Sequence, residues 1–89
     1  MSLSYLEVTF RRGRPLAAYY YLPRRGGDKA VRTERGPSGL VVDYARDGRA
    51  IGIEITAPSL LSLAAMNRVL RSLGRAPVKR ADLSPVLAA

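Results

Sequence analysis

Asp43 and Glu54 are the residues of this chain whose types and spacing could do chemistry. They flank Arg46-Asp47-Gly48-Arg49. With Asp-Gly at its tip, the segment is expected to turn as a two-residue hairpin loop, because both tip residues tolerate positive φ. Pairing Arg46 with Arg49 sets Tyr44 against Ile51, Val42 against Ile53 and Leu40 against Ile55, so six apolar residues share one face. A slip of one residue would destroy that agreement. On the other face Asp43 meets Gly52, with Glu54 as its diagonal neighbour. Two carboxylates that close raise each other's proton affinity unless a cation lies between them. The pair could then work as acid and base or grip a cation. With 13 arginines in the chain, a bridge through one of them is the expectation. Glu7 would join as a third acid only if its strand adjoined the hairpin.

The run Tyr19-Tyr20-Tyr21 places Tyr20 on one face of a strand and Tyr19 and Tyr21 on the other. A strand aromatic on both faces is expected to be covered on both sides, by a helix on one and a second subunit on the other. The competing reading is a stacking platform for single-stranded nucleic acid. The basic-aromatic motif of sheet-face RNA binders does not occur here. Residues 11–35 hold eight basic and two acidic side chains. Arg11, Arg12 and Arg14 surround the first turn, and Arg24, Arg25 and Lys29 surround Gly26-Gly27. Arg11, Arg12, Arg24 and Arg25 are candidate phosphate contacts, set against the reading of a plain basic surface. Gly26-Gly27 lacks the spacing and the Lys-Ser/Thr of a phosphate loop, so it reads as a hairpin turn.

The elements that must position these groups belong to a chain of 89 residues with a net charge of +8 and neither Cys nor His. Without those two residue types there is no thiolate nucleophile, no Ser-His-Asp triad, no disulfide and no standard structural zinc site. One thin-cored domain is expected over residues 5–75, with a short tail over 76–89. Tyr5–Phe10, Leu16–Leu22, Ala30–Arg35, Leu40–Ala45 and Ala50–Thr56 read as strands, bounded by Gly and Pro. A helix should run from Pro58 or Ser59 to Leu73, stopped by Gly74. Its stripe is Leu63, Met66, Leu70 and Leu73, with Leu60 and Ala64 beside it. In the tail, Asp82-Leu83-Ser84-Pro85 either starts a last helical turn or stays loose. The class is α+β: an antiparallel β-meander of about five strands with one C-terminal helix packed on it. Met1–Phe10 has no basic start followed by an apolar run, and Leu60–Met66 is far too short to span a bilayer. A cytoplasmic protein that does not enter membranes is the expectation.

The segment from Gly39 to Ile55 resembles the signature of a small bacterial family known as domain of unknown function 2283. Asp43, Gly48, Arg49, Gly52 and Glu54 match its pattern position by position. Ala17–Leu22 is similar to that family's Ala-Leu-Tyr-Ile-x-Leu strand. The chain departs from the family at Leu16, where an Asp is usual, and at Phe10-Arg11, where Tyr-Asp is usual. The resemblance implies the same small fold and adds Arg49 to the candidate binding residues Asp43, Glu54, Tyr19 and Tyr21. It implies no established activity; an antitoxin-like role has been suspected for some members.

These readings point to a non-catalytic binding or regulatory module, with no cofactor or metal, acting as a homodimer or on a protein partner. One alternative is a nucleic-acid-binding protein with an arginine-rich face. Another is a metal-assisted enzyme built on the carboxylate pair.

Overall fold

A computed structural model of the chain describes residues 4–87. Five strands form one antiparallel sheet: β1 (Tyr5–Arg11), β2 (Arg14–Tyr21), β3 (Arg32–Arg35), β4 (Leu40–Tyr44) and β5 (Ala50–Ile55). Their order across the sheet is β1-β2-β5-β4-β3. The β1–β2 hairpin and the β3-β4-β5 meander are thus joined where β2 pairs with β5. Helices α1 (Leu63–Ser72) and α2 (Ser84–Leu87) follow. The expected α+β class is observed. No helix among the described residues is long and apolar enough to cross a membrane.

The β4–β5 hairpin keeps most of its expected register and departs from it at the tip. Leu40 pairs with Ile55, Val42 with Ile53 and Asp43 with Gly52, whereas Tyr44 pairs with Ala50 rather than Ile51. The loop has three residues, Arg46-Asp47-Gly48, closed by Ala45 N–H to Arg49 O at 2.9 Å and Gly48 N–H to Ala45 O at 3.0 Å. Of the tip residues only Gly48 takes positive φ, +90°. This is a type I turn ending in a left-handed glycine, the next commonest hairpin solution after the two-residue loop. The longer loop takes up one residue, and a bulge at Ile51 restores the register beyond it. The two-residue turn belongs instead to the β1–β2 hairpin, where Arg12 and Gly13 have φ of +53° and +77°.

Gly26-Gly27 forms a turn, closed by Asp28 N–H to Arg25 O at 3.1 Å. It is not a hairpin turn, since β2 and β3 lie in different parts of the sheet and do not pair. Of the segment expected at Ala30–Arg35, only Arg32–Arg35 is strand, exposed throughout at the sheet edge.

The core lies on one face of the sheet. Leu40, Val42, Ile53, Ile55, Ala18 and Leu22 meet Ala65, Met66, Val69 and Leu70 of α1 and Leu83 and Val86 from beyond it. Each large aliphatic side chain fully buried there contributes roughly 1.5–3 kcal/mol. The helix begins later than expected. Pro58–Leu60 is a single 3₁₀ turn, Leu61 is extended, and Ser62 caps α1 by accepting the Ala65 N–H at its Oγ, 3.1 Å. Leu60 therefore falls outside the helix and is 63% exposed, and Ala64 is exposed too. The buried stripe is Ala65, Met66, Val69 and Leu70, flanked by half-buried Leu63 and Leu73.

The segment after Gly74 takes the helical alternative and packs into the same core through Leu83 and Val86. Ala88 and Ala89, like Met1–Leu3, lie outside the described residues. The tie is Asn67, a buried amide on α1. Its Oδ1 accepts from Val78 N–H at 2.8 Å, and its Nδ2 donates to Val78 O at 3.1 Å. Periodicity gave no reason to single Asn67 out. Asn67→Ala strands both backbone groups of Val78 and is expected to cost about 1–3 kcal/mol in denaturant unfolding. Amide exchange over Val78–Val86 should accelerate more than over β4 and β5, since the amide holds only the tail.

Candidate functional site

The sheet face remote from α1 is covered by no described element, and the candidate site lies on it. One row of cross-strand neighbours runs Glu7, Tyr19, Glu54, Val41, Arg35 from edge to edge. The next row runs Tyr5, Tyr21, Gly52, Asp43, Thr33. Glu7 is thus one strand removed from Glu54, with Tyr19 between them.

Tyr19 and Asp43 stand on strands separated by β5, roughly 10 Å apart by strand spacing. The phenol bridges that gap by lying across Gly52, and its hydroxyl donates to Asp43 Oδ2 at 2.7 Å. A Cβ at Gly52 would overlap the Tyr19 ring and hydroxyl. Glycine stands inside this strand because an aromatic ring occupies the place of its side chain. Asp43, beneath the ring, is only 5% exposed.

Arg24 closes the far side. Its Nη2 donates to the Tyr19 hydroxyl at 2.9 Å and its Nε to Ile51 O at 3.1 Å. That carbonyl sits at the β5 bulge and also accepts from Leu22 N–H. The guanidinium lies 5.7 Å from the Tyr19 ring centre and 5.0 Å from that of Tyr21. Tyr21 stacks on Tyr5 at 4.3 Å, meets Tyr19 edge-on at 4.6 Å, and donates to Glu7 Oε1 at 3.0 Å.

The expected arginine bridge between Asp43 and Glu54 is not formed: no ion pair among the described residues includes either acid. A neutral phenol is the donor to Asp43 instead. Glu54 binds its proton more tightly than an ordinary glutamate, first through a hydrogen bond to Asp43, then through burial and the Asp43 charge. Asp43 Oδ1 is buried and has no hydrogen-bond partner among the described residues. The Tyr19 hydroxyl is pushed well above the usual phenol range, first by burial, then by the hydrogen bond to Asp43; Arg24 pulls it back in part. Tyr19 therefore meets Asp43 as a neutral phenol that donates its proton. Glu7, Thr9, Ala17, Tyr19, Glu54 and Thr56 line a shallow depression of about 220 Å³. That is below the size range of pockets for drug-sized ligands.

Of the residues singled out in sequence, Asp43, Glu54, Tyr19, Tyr21 and Arg24 come together. Arg49 does not join them. Its two terminal nitrogens donate to both oxygens of Asp28 at 2.8 and 3.1 Å, and its Nε donates to Asp47 at 2.7 Å. It clamps the 25–28 turn to the β4–β5 turn and holds both carboxyls below the usual range. Arg25 lies outside the site with its side chain exposed, its backbone N–H donating to Asp28. Arg11 and Arg12 lie at the β1–β2 tip, and Arg24 is committed to Tyr19 and Ile51 rather than free for phosphate. Gly52 as the seat of the Tyr19 ring and the Ile51 carbonyl as an anchor were missed; the lone glycine inside a strand pattern was the available signal. Comparison with family models, curated proteins and solved structures returns no match for this chain.

Tyr19→Phe removes the donor from a buried carboxyl and should destabilise the fold by about 1–3 kcal/mol in urea unfolding. Glu54 generates a pH dependence. Because its pKa is raised on folding, the native state binds the extra proton as pH climbs past the ordinary glutamate range. Stability therefore falls with rising pH through that window and levels off above the raised pKa. Glu54→Gln keeps a donor facing Asp43 and should abolish this component. It is expected to gain no more than ~1 kcal/mol at neutral pH, since solvent screens a partly exposed pair.

Proposed function

We propose that this protein is a non-catalytic binding module that works as a cytoplasmic homodimer, its two copies meeting through the sheet face remote from α1. The observation that carries the reading is the aromatic cluster on that face. Tyr5, 56% exposed, stacks on Tyr21, which meets Tyr19, and Arg24 lies over the latter two. Tyrosine and arginine of this kind are the residues that dominate protein interfaces, and here they are already ordered. The likeness of residues 39–55 to domain of unknown function 2283 is in keeping with a small stand-alone module.

The row across the face ends in Glu7 at the β1 edge and Arg35 at the β3 edge. A two-fold axis lying in the interface and parallel to the strands brings Glu7 of one copy opposite Arg35 of the other, twice. An axis perpendicular to the strands would set Glu7 against Glu7. Charge complementarity selects the first arrangement, which also keeps the sheets nearly aligned, as in face-to-face sheet packing.

Sedimentation over a concentration series should show a monomer–dimer equilibrium. Glu7→Arg should shift it towards monomer, and adding Arg35→Glu should restore the dimer. Tyr5→Lys with Tyr21→Lys should give a folded monomer. A wild-type protein that stays strictly monomeric at its highest soluble concentration overturns the reading.

A further inference from the structure

The tip of the β1–β2 hairpin takes no part in that face. β2 pairs with β5 only over Ala18–Tyr21, while the hairpin runs on through Thr9/Ala17, Phe10/Pro15 and Arg11/Arg14. Residues 9–17 therefore continue as a two-stranded ribbon, roughly 10–13 Å long by strand rise. A bulge leaves Leu16 unpaired opposite the Thr9–Phe10 step, and Phe10 and Leu16 are 54% and 53% exposed. Arg11, Arg12 and Arg14 are exposed and enter no ion pair with a described residue. No acidic residue lies between positions 8 and 27. Arg11, Arg12, Arg14, Pro15 and Leu16 line an open concavity of about 400 Å³.

Arg12 stands at the apex with φ +53°, in a turn that favours Asn, Asp or Gly. The backbone conformation disfavours arginine there, and no hydrogen bond or ion pair to a described residue compensates it. Folding alone does not account for that residue at that place.

We propose that this ribbon is an arm for double-stranded DNA, entering a groove with Arg11, Arg12 and Arg14 on the flanking phosphates and Phe10 and Leu16 against the bases. The major groove of B-DNA admits a two-stranded ribbon and is about 8.5 Å deep, within the arm's reach. Arginine suits phosphate through paired N–H donors, and apolar side chains can pack on the thymine methyl groups exposed in the major groove. A-form RNA closes its major groove to such a ribbon. A bilayer is the lesser fit, since two apolar side chains bury too little to anchor a protein there.

The test is fluorescence anisotropy of a labelled mixed-sequence DNA duplex with the full chain, across a salt series. Wild type should bind at low salt and weaken steeply as salt rises. The variant Arg11→Ser/Arg12→Asn/Arg14→Ser should bind at least about tenfold more weakly, with a log–log salt slope flatter by about 2–3. Phe10→Ser should weaken binding with the slope unchanged. Thermal melting checks that the variants are folded; Arg12→Asn alone, which suits the turn better, should melt no lower than wild type and still bind less. Unaltered affinity in the triple variant, or no binding by wild type at low salt, overturns the proposal. So does tighter binding to the single strand than to the duplex, which assigns the contacts to base stacking. Arginine-dependent sedimentation with phosphatidylserine–phosphatidylcholine vesicles, without duplex binding, overturns it in favour of a membrane. The dimer proposal is read separately by sedimentation, and either can fail alone.

Discussion

Asp43 sits buried in the middle of a sheet, and a buried carboxyl must be hydrogen-bonded or it costs the fold several kcal/mol. No arginine reaches it. The donor comes from Tyr19, two strands away, whose ring crosses β5 in the space left by Gly52. Much of the open face follows from that contact. It fixes which side of β2 carries Tyr19 and Tyr21, ties the β1–β2 hairpin to the meander beyond backbone pairing, and forbids any larger residue at position 52.

The support continues outward from the phenol. Arg24 holds the Tyr19 hydroxyl from the other side and anchors on the carbonyl at the β5 bulge. That bulge exists because the β4–β5 turn uses three residues rather than two. The turn is in turn clamped by Arg49 to Asp28, in the loop that follows Arg24. Glycine, bulge, turn and two arginines form one connected arrangement, and its outcome is a hydrogen-bonded aromatic surface on the side of the sheet away from the helix. The protein carries its apolar core on one face and this ordered polar-aromatic layer on the other.

The two ends of the β1–β2 hairpin differ in their surroundings. Its base is held by β5 and presents Tyr5, Tyr19 and Tyr21. Its tip leaves the sheet and carries three exposed arginines, none in an ion pair among the described residues, beside exposed Phe10 and Leu16. The bulge at Leu16 marks the boundary between the two regimes. The proposed self-association through the base and the proposed DNA contact through the tip are compatible, since they use different residues.

Local pattern was enough to place the five strands, though β3 begins two residues late, and to give the pairing of Leu40 with Ile55 and Val42 with Ile53, though not that of Tyr44, the placing of Asp43 opposite Gly52, and the α+β class. Each rests on alternation or turn chemistry, which act between near neighbours in the chain. The start of α1 was misread because Pro58 and Ser59 imitate a helix start, while Ser62 makes the hydrogen bond that caps it. Arg49 was placed with Asp43 on a shared motif, but a long side chain goes to whichever carboxylate the loops bring near, and that was Asp28. What only the tertiary structure decided is the joining of β2 to β5. That pairing bridges residues more than thirty apart, and periodicity carries no record of it. It alone brings Tyr19 over Gly52 to Asp43, leaves the hairpin tip free, and turns separate tyrosines and arginines into a surface.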